Sequence, residues 1–267
     1  MDGADQALVR LLAHLRELPP LAVAVSGGVD SMTLASVAHR YALAKPIMIH
    51  AVSPAVPSSA RAVIDAHAAA EGWALTILDA GEQNDPRYRA NPYDRCYFCK
   101  SNLYGTIRAT TERTIASGTN LDDMSEHRPG LIAAGEHDVV HPFVAARIDK
   151  ATIRAIARSF GFSRFAELPA QPCLASRIET GIAIEHRDLA FIDRVEREAR
   201  SLLGAGETLR VRLRHDGVHL EIARALAPPE RMAVEALVTR ESAAEGRVFR
   251  RISPYRTGSA FVPEAAP

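Results

Sequence analysis

The sequence predicts an α/β fold in which a doubly wound parallel sheet is followed by a smaller C-terminal α+β domain. Short apolar segments alternate with helical segments of roughly ten to fifteen residues, which is typical of such a sheet. A Gly-Gly turn follows the first apolar segment and leads directly into a helical pattern. After Gly181 the pattern changes to a long charged helix and two alternating strands. We therefore predict domains at 1–180 and 181–257.

The elements of the first domain follow from apolar spacing and from the residues that end each run. Residues 6–18 have helical spacing and stop at Pro19-Pro20, which predicts a leading amphipathic helix. The predicted strands are 21–25, 46–52, 73–78 and 114–117, and the predicted helices are 31–44, 58–71, 96–111 and 150–160. Segments 81–94 and 167–177 lose the apolar period and are predicted as loops, and 128–130 is predicted as a turn.

The second domain is predicted from a charged helix and a hairpin. Residues 185–203 form a long amphipathic pattern, and the alternating runs 208–214 and 218–223 flank a His-Asp-Gly hairpin signal. A helix at 229–242 and a strand at 247–252 complete this domain, to which we assign substrate binding or oligomerisation. Residues 258–267 are expected to form a disordered tail.

The composition argues against several classes of protein. The 267 residues are 47% hydrophobic, enough for a sizeable core, and 32 basic residues balance 32 acidic ones. This balance argues against bulk nucleic acid as the main partner, because such proteins usually carry a basic face. No apolar run approaches the roughly 18 residues of a membrane span, and the acidic N-terminus does not resemble a signal peptide. We expect a cytoplasmic protein, whose three cysteines do not form a disulfide framework.

The string Ser-Gly-Gly-Val-Asp-Ser at 26–31 is the first candidate site. It lies between a predicted buried strand and a helix N-terminus, where backbone N–H groups and the helix dipole suit phosphate. Gly27 and Gly28 allow close approach of an anion, Ser26 and Ser31 add hydroxyl donors, and Asp30 can hold Mg²⁺. An ordinary βα turn would explain the glycines but not the full string, which matches neither a Walker A nor a Rossmann motif. It resembles the pyrophosphate loop (PP-loop) of the N-type ATP pyrophosphatases, so we expect an ATP site.

The cysteines are the second chemical feature of the sequence. Cys96 and Cys99 form a Cys-x-x-Cys pair at a helix start, and Cys173 lies in an irregular segment. Three thiolates suit a [4Fe–4S] cluster with one open iron. A zinc site completed by a histidine and a Cys96–Cys99 disulfide fit the spacing equally well. A small buried hydrophobe is the alternative interpretation of Cys173.

Six motifs in this order resemble the LarE-type ATP-dependent sulfur transferases, and together they span most of the chain. They are the 26–31 string, Asn91-Pro-Tyr-Asp-Arg-Cys-Tyr-Phe-Cys-Lys100, Gly118-Thr-Asn-Leu-Asp-Asp123, Arg128-Pro-Gly130, Cys173-Leu-Ala-Ser-Arg-Ile178 and Arg210-Val-Arg212. The resemblance implies the Rossmann-like fold of the adenine nucleotide alpha hydrolases. It also implies a homo-oligomer, specifically a hexamer.

The resemblance further implies a reaction in the assembly of the nickel-pincer nucleotide cofactor. ATP adenylates a carboxylate of pyridinium-3,5-biscarboxylic acid mononucleotide, and magnesium pyrophosphate leaves. A cysteine matching Cys173 then attacks the acyl adenylate and is left as dehydroalanine after carbon–sulfur cleavage. Family members with cysteines matching Cys96, Cys99 and Cys173 instead hold a [4Fe–4S] cluster, which carries an extra sulfide and turns over repeatedly. Because this chain has all three cysteines, we predict the cluster-dependent version, with a sulfur source as a second partner.

The resemblance also assigns individual residues. The ATP-binding residues are Ser26, Gly27, Gly28, Asp30, Ser31, Ser53, Gly118, Thr119, Asn120 and Asp123, with Asp30 also a magnesium ligand. The substrate-binding residues are Tyr97, Ser176, Arg177, Arg210 and Arg212, and the catalytic and cluster-binding residues are Cys96, Cys99 and Cys173. Arg210, Arg212 and Arg214 alternate on one strand face, which favours an anion-binding face over the alternative of a solvated one.

Two positions depart from the family pattern, and two other functions stay open. Leu168 stands where the family often has a lysine, and Thr180-Gly181 replaces an aromatic–glycine pair, which affects substrate contacts rather than the reaction class. A tRNA thiolase of the same superfamily is the alternative enzyme, although the chain lacks a basic or zinc-ribbon RNA module. A non-catalytic module for nucleotide binding or metal storage is the second alternative.

Overall fold

The computed structural model describes residues 3–125, 128–167, 172–204 and 206–262, and it confirms the α/β class. The chain divides into two compact units. The first comprises Met1–Ser53, Ser58–Glu82 and Cys96–Gln171, and the second comprises Pro54–Pro57, Gln83–Arg95 and Pro172–Pro267. Two short segments from the first half of the chain therefore group with the C-terminal residues, and the single boundary near residue 180 stays a prediction.

The first unit is built on a four-stranded parallel sheet with the order β3-β2-β1-β4. The strands are β1 (Leu21–Ala24), β2 (Ile47–Val52), β3 (Leu75–Asp79) and β4 (Thr114–Ala116). In the centre Val23 lies opposite both Met48 and Ala116. The chain moves outward from β1 to β2 and β3 and then returns to the other side of β1 with β4. Ligands bind parallel sheets at this kind of switch point, outside the carboxyl ends of the strands.

Helices cover both faces of this sheet. The first unit contains α1 (Gly3–Glu17), α2 (Val29–Tyr41), α3 (Ser58–Glu71), α5 (Arg95–Thr110, whose first residue belongs to the second unit), α6 (Pro129–Glu136), α7 (Pro142–Ala145), α8 (Lys150–Ser159) and α9 (Ser163–Ala166). On one face Leu11, Met32 and Ile153 belong to one buried apolar core. On the other face Tyr104 and Ile107 of α5 belong to a separate core. The two cores confirm the doubly wound arrangement.

Two predicted irregular segments are partly helical. The turn predicted at 128–130 is wrong, because Arg128 is the N-cap of α6 and Pro129 its first residue. Proline suits this position, where the backbone N–H has no helical partner to lose. The predicted loop 81–94 contains the short helix α4 (Pro86–Arg89), and the side chain of Asp85 accepts the Arg87 N–H at its start. One helical turn is too short for apolar spacing to reveal.

The second unit contains α4, a long helix α10 (His186–Leu203), a helix α11 (Pro228–Ala244) and a three-stranded sheet. Its strands are β5 (Leu209–Arg214), β6 (Gly217–Ile222) and β7 (Phe249–Pro254). The predicted β5–β6 hairpin is confirmed as antiparallel, and β7 pairs parallel to β6. Residues 258–262 of the expected tail are described: Ala260 is buried, and its carbonyl oxygen accepts the Thr180 N–H at 3.0 Å. No helix in the described ranges is long and apolar enough to cross a membrane.

Candidate functional site

The 26–31 segment, called the PP-loop below after the family loop that it resembles, turns sharply between β1 and α2. Gly27 has a φ of +82°, and a Cβ there would lie 3.1 Å from the Ala60 carbonyl oxygen, so this position requires glycine. Gly28 is the N-cap of α2. The Ser31 hydroxyl donates to the Gly28 carbonyl oxygen at 3.2 Å and accepts the Ser26 N–H at 3.1 Å. These bonds fix the loop with the N-terminal end of α2 at the carboxyl edge of the sheet, where an anion is favoured.

The loop that follows β4 lies directly against the PP-loop. A Cβ on Gly118 would lie 2.7 Å from the Ser31 backbone nitrogen and 2.8 Å from the Asp30 carbonyl carbon. No side chain fits in that space without a shift of the backbone. The structure therefore brings the two predicted ATP-binding segments together, and it does so through the glycine that starts the second one.

Two buried polar atoms at this edge lack a protein partner. Within the described residues, Asp30 Oδ1 and Asn120 Nδ2 make no hydrogen bond. Asp30 Oδ2 pairs with Lys150 Nζ at 3.0 Å. Burial raises the pKa of the Asp30 carboxyl group, and Lys150 opposes this rise. An orphaned acceptor and an orphaned donor are what a magnesium–nucleotide complex would satisfy, since the metal binds carboxylate oxygen and the nucleotide offers acceptors.

Other predicted ATP-binding residues shape this edge. Asp123 Oδ2 accepts the Asn120 N–H at 3.0 Å, and Asp123 Oδ1 pairs with Arg128 at 2.9 Å, so this carboxylate braces the loop. The Thr119 hydroxyl lies 2.9 Å from the Ser117 hydroxyl. Ser53 follows the carboxyl end of β2 and is half-buried.

Three residues at this edge were missed by sequence reasoning. Ser117 links Thr119 to His141, whose Nδ1 lies 2.8 Å from the Ser117 hydroxyl oxygen. Burial lowers the pKa of His141, which favours a neutral imidazole. Lys150 is the third residue. A lysine at the first position of a helix opposes the helix dipole, and that was the available signal that Lys150 has another task.

The Cys-x-x-Cys pair lies in the first turn of α5. Cys96 and Cys99 are half-buried, neither forms a disulfide, and their i,i+3 spacing places both on one side of the helix. Helix α6 approaches this turn through Gly130, where a Cβ would lie 3.0 Å from Lys100 Cγ. The Tyr97 hydroxyl donates to Glu136 of α6 at 2.9 Å. The pair fits two neighbouring ligands of one metal centre, but in the described ranges no three His, Cys, Asp or Glu side chains gather to hold a metal.

Cys173 belongs to the second unit and is exposed. It precedes the 3₁₀ turn Leu174–Arg177. Arg177 is only 2% exposed; its guanidinium donates to Glu196 at 2.9 and 3.0 Å and to the carbonyl oxygen of Cys173 at 3.1 Å. Cys173 is thus exposed, while its backbone is held by the buried side chain of Arg177.

Arg210 and Arg212, two of the three arginines of β5, are buried, so the alternative of a solvated strand face is wrong for them. Arg212 donates to Glu221 at 2.9 Å, to the Ser176 carbonyl oxygen at 2.9 Å and to the Arg256 carbonyl oxygen at 3.1 Å. Burial, followed by the charge of Arg177, lowers the pKa of Arg210 to about 10. Leu168, the first departure from the family pattern, lies outside the described residues.

Comparison with known proteins identifies relatives along most of the chain. No family model matches the sequence. The protein slr1717 of Synechocystis sp. is 34% identical over 232 residues, covering 85% of this chain and 84% of its own. The Methanocaldococcus jannaschii protein MJ0830 is 28% identical over 203 residues, covering 73% and 76%. The pyridinium-3,5-bisthiocarboxylic acid mononucleotide synthase of Lactiplantibacillus plantarum is 24% identical over 231 residues, covering 80% and 79%.

The identity to the Synechocystis protein is high enough, over enough of both chains, to show common membership of one family. The synthase is more distant, but it covers a similar share of the chain and is a LarE protein, as the motifs imply. The chain therefore belongs to the family of the Synechocystis protein slr1717, with the LarE synthase of L. plantarum as a distant homologue.

Proposed function

We propose that this chain is an ATP-dependent sulfur transferase that converts a carboxylate of pyridinium-3,5-biscarboxylic acid mononucleotide into a thiocarboxylate, as a step of nickel-pincer nucleotide cofactor assembly. The name of the distant homologue gives the thiocarboxylate product of that protein. The observation that carries the proposal is the sheet edge where Gly118 lies against the PP-loop and where Asp30 and Asn120 each have a buried polar atom with no partner among the described residues.

The first step in this proposal is adenylation. A substrate carboxylate oxygen attacks the α-phosphorus of ATP, the bond to the bridging oxygen breaks, and pyrophosphate leaves with the electron pair. The loop 26–31 would hold the departing phosphates with its N–H groups and hydroxyls, and Gly118, Thr119, Asn120 and Ser53 would line the nucleotide. Asp30 would hold Mg²⁺, which when bound neutralises charge on pyrophosphate.

The second step is transfer of sulfur. In a protein without a cluster, the Cys173 thiolate would attack the acyl carbon and AMP would leave. Loss of the Cys173 Cα proton with cleavage of the Cβ–S bond then gives the thiocarboxylate and dehydroalanine. The exposure of Cys173 supports this role. In the version that we propose for this chain, Cys96, Cys99 and Cys173 would instead hold a [4Fe–4S] cluster, which would supply sulfide for repeated turnover, so that Cys173 is not consumed; the paired position of Cys96 and Cys99 supports two of its ligands.

Substrate recognition is proposed for Tyr97, Ser176 and Arg210. Tyr97 lies between the two cysteines of the Cys-x-x-Cys pair in sequence, and Ser176 and Arg210 are buried residues of the second unit. Arg177 and Arg212 each donate to a buried glutamate and to backbone carbonyl oxygens, which favours a role for them in holding neighbouring segments; Arg210 donates to the Leu209 carbonyl oxygen. From the resemblance we also propose a cytoplasmic homo-oligomer.

The experiment combines the protein with ATP, Mg²⁺ and the dicarboxylate mononucleotide under anaerobic conditions. We expect AMP, pyrophosphate and a product in which one carboxylate oxygen is replaced by sulfur. Asp30→Asn should lower pyrophosphate release by about 100-fold, whereas Asp65→Asn should not, because Asp65 is an exposed partner of Arg61 on α3. Absence of pyrophosphate release with this substrate, together with thiolation of tRNA, would refute the proposal.

A further inference from the structure

The side chain of Arg177 holds the segment that carries Cys173. Its Nε and Nη2 atoms donate to the two carboxylate oxygens of Glu196. Its Nη1 atom donates to the carbonyl oxygens of Pro172 at 2.6 Å and Cys173 at 3.1 Å, and to the Ser176 hydroxyl at 3.1 Å. All three nitrogens of this buried side chain are therefore engaged within the protein, on both sides of the thiol-bearing residue.

Glu196 is the carboxylate that orients Arg177. It lies within α10, is 2% exposed, and accepts the fork of Arg177, one bond from Arg200 at 3.0 Å and the backbone N–H of Val211 at 3.1 Å. Burial acts to raise the pKa of Glu196, but the charge and hydrogen bonds of Arg177 lead the effects that bring it below its ordinary value. The carboxylate thus joins α10, β5 and the Cys173 segment.

Main-chain hydrogen bonds also hold the backbone around Cys173, although the residue itself is exposed. The Leu174 N–H donates to the Ala55 carbonyl oxygen at 2.7 Å, and the Ser176 N–H donates to the Cys173 carbonyl oxygen at 3.0 Å. A thiol on a fixed backbone attacks an acyl carbon, or holds a cluster, from one position, and a misplacement of about 1 Å at a reacting atom can cost about 100-fold in rate.

We propose that Glu196 and Arg177 are positioning residues for sulfur transfer: Glu196 orients Arg177, and Arg177 fixes the backbone from which the Cys173 thiol projects. This inference rests on the proposed function and assigns Arg177 a positioning role in place of a substrate contact. It predicts a separation of steps, because the contacts described above for the phosphate edge are made by residues of the first unit, whereas Glu196 and Arg177 belong to the second.

The test compares Glu196→Gln and Arg177→Lys with the control Glu198→Gln. Glu196→Gln keeps the shape of the side chain and removes its charge. Arg177→Lys keeps a cation opposite Glu196, which protects folding, but lacks the planar fork and its several donors. Glu198 lies two residues from Glu196 on α10, and its nearest cationic partner is Arg240 at 3.7 Å. For both variants the amount of thiocarboxylate formed per pyrophosphate released should fall by about 100-fold relative to wild type, whereas this ratio should not change in Glu198→Gln.

A second measurement does not depend on activity. Hydrogen–deuterium exchange of the peptide 172–178 should accelerate by about tenfold or more in Glu196→Gln and Arg177→Lys, and should be unchanged in Glu198→Gln. Pyrophosphate release and sulfur transfer falling together would overturn the inference in favour of a purely structural role. Unchanged sulfur transfer and unchanged exchange would also overturn it. If wild-type protein shows no sulfur transfer while the exchange difference is present, the proposed function fails and the positioning of Cys173 stands.

Discussion

At the scale of single residues, the candidate nucleotide site depends on a glycine, Gly118, because the space where a side chain would lie is occupied by backbone. Gly118 belongs to the second predicted ATP-binding motif, and its Cα faces the first turn of α2 so closely that a Cβ would meet the backbone of Asp30 and Ser31. Both neighbours are main-chain atoms, which cannot rotate away as the end of a flexible side chain could. The position of the loop after β4 is therefore coupled to the shape of the PP-loop.

This coupling predicts that Gly118→Ala weakens ATP binding. The added methyl should separate the two loops, weaken ATP binding by about tenfold or more and destabilise the protein by about 1–3 kcal/mol. Isothermal titration with ATP and Mg²⁺, together with thermal melts, measures both effects. Gly135→Ala is the matched control: Gly135 is inside α6 with nothing within 4 Å of its Cβ position, so alanine there should leave binding unchanged. Equal ATP affinity in Gly118→Ala and wild type would contradict this coupling.

At the scale of elements, helix α8 delivers Lys150 to the PP-loop. Its N-cap is Asp149, whose side chain accepts the Thr152 N–H at 2.8 Å. The Lys150 N–H donates to Asp122 at 3.2 Å, and its ammonium group pairs with Asp30. The first residue of α8 thus joins the loop after β4 to the PP-loop. The N-cap that fixes this helix start is the carboxylate of Asp149, so its strength depends on pH.

The cap gives the stability of the first unit a defined pH dependence. Hydrogen bonding to Thr152 lowers the pKa of Asp149 in the folded state. The stabilisation is therefore complete above the ordinary aspartate pKa of about 3.9 and is lost as the pH falls through the lower folded-state value. Asp149→Ala should cost about 1 kcal/mol at pH 7 and less near pH 3 in urea unfolding. Asp149→Asn should keep most of the cap at both pH values. A cost of Asp149→Ala that does not change with pH would contradict this.

Elements with several turns or alternations were predictable, and single turns were not. Helix α3 has the predicted bounds 58–71, and the β5–β6 hairpin follows from alternation around His215-Asp216-Gly217. In contrast α4, α7 and α9 have four residues each, too few for a period to appear. The sequence predicts a turn at the start of α6 because proline and glycine are common in turns. In the structure, Pro129 is instead the first residue of the helix, and Gly130 allows close contact with Lys100.

At the scale of the whole molecule, the ends of the parallel strands predict where the candidate nucleotide site lies, but they do not predict the side-chain pairs that connect its loops. Asp30 and Asn120 follow different strands, and a parallel sheet must bring those ends together. Lys150 comes from a helix that no strand rule places there, and Glu196 meets Arg177 only because α10 and β5 fold onto one segment. Such pairings depend on tertiary packing, which local sequence does not encode.

The cysteines allow a test of the cofactor on the whole protein. Anaerobic protein reconstituted with iron and sulfide should be brown, with charge-transfer absorption and bound iron and sulfide. Cys96→Ala and Cys173→Ala should each lose most of this absorption, because a [4Fe–4S] cluster is held by thiolates. Ser101→Ala, on the same helix as Cys96, is the control and should retain it. Colourless wild-type protein with full sulfur transfer would exclude the cluster, and Cys173 should then be converted to dehydroalanine in one turnover.

The balance of charge over the whole chain distinguishes the proposed small-molecule substrate from tRNA. The chain has no excess of positive charge to displace counterions from a phosphate backbone, because 32 basic residues balance 32 acidic ones and, among the described residues, arginines such as Arg177, Arg212 and Arg224 are paired with carboxylates. Non-specific binding with a Kd of about 10⁻⁴ M or weaker at physiological salt is therefore expected for tRNA. Filter binding between about 50 and 200 mM salt measures the affinity and its salt slope. A steep slope with micromolar affinity, or a thiolated tRNA product with labelled sulfur, would favour the thiolase, because both need a nucleic-acid surface that this balance of charge argues against.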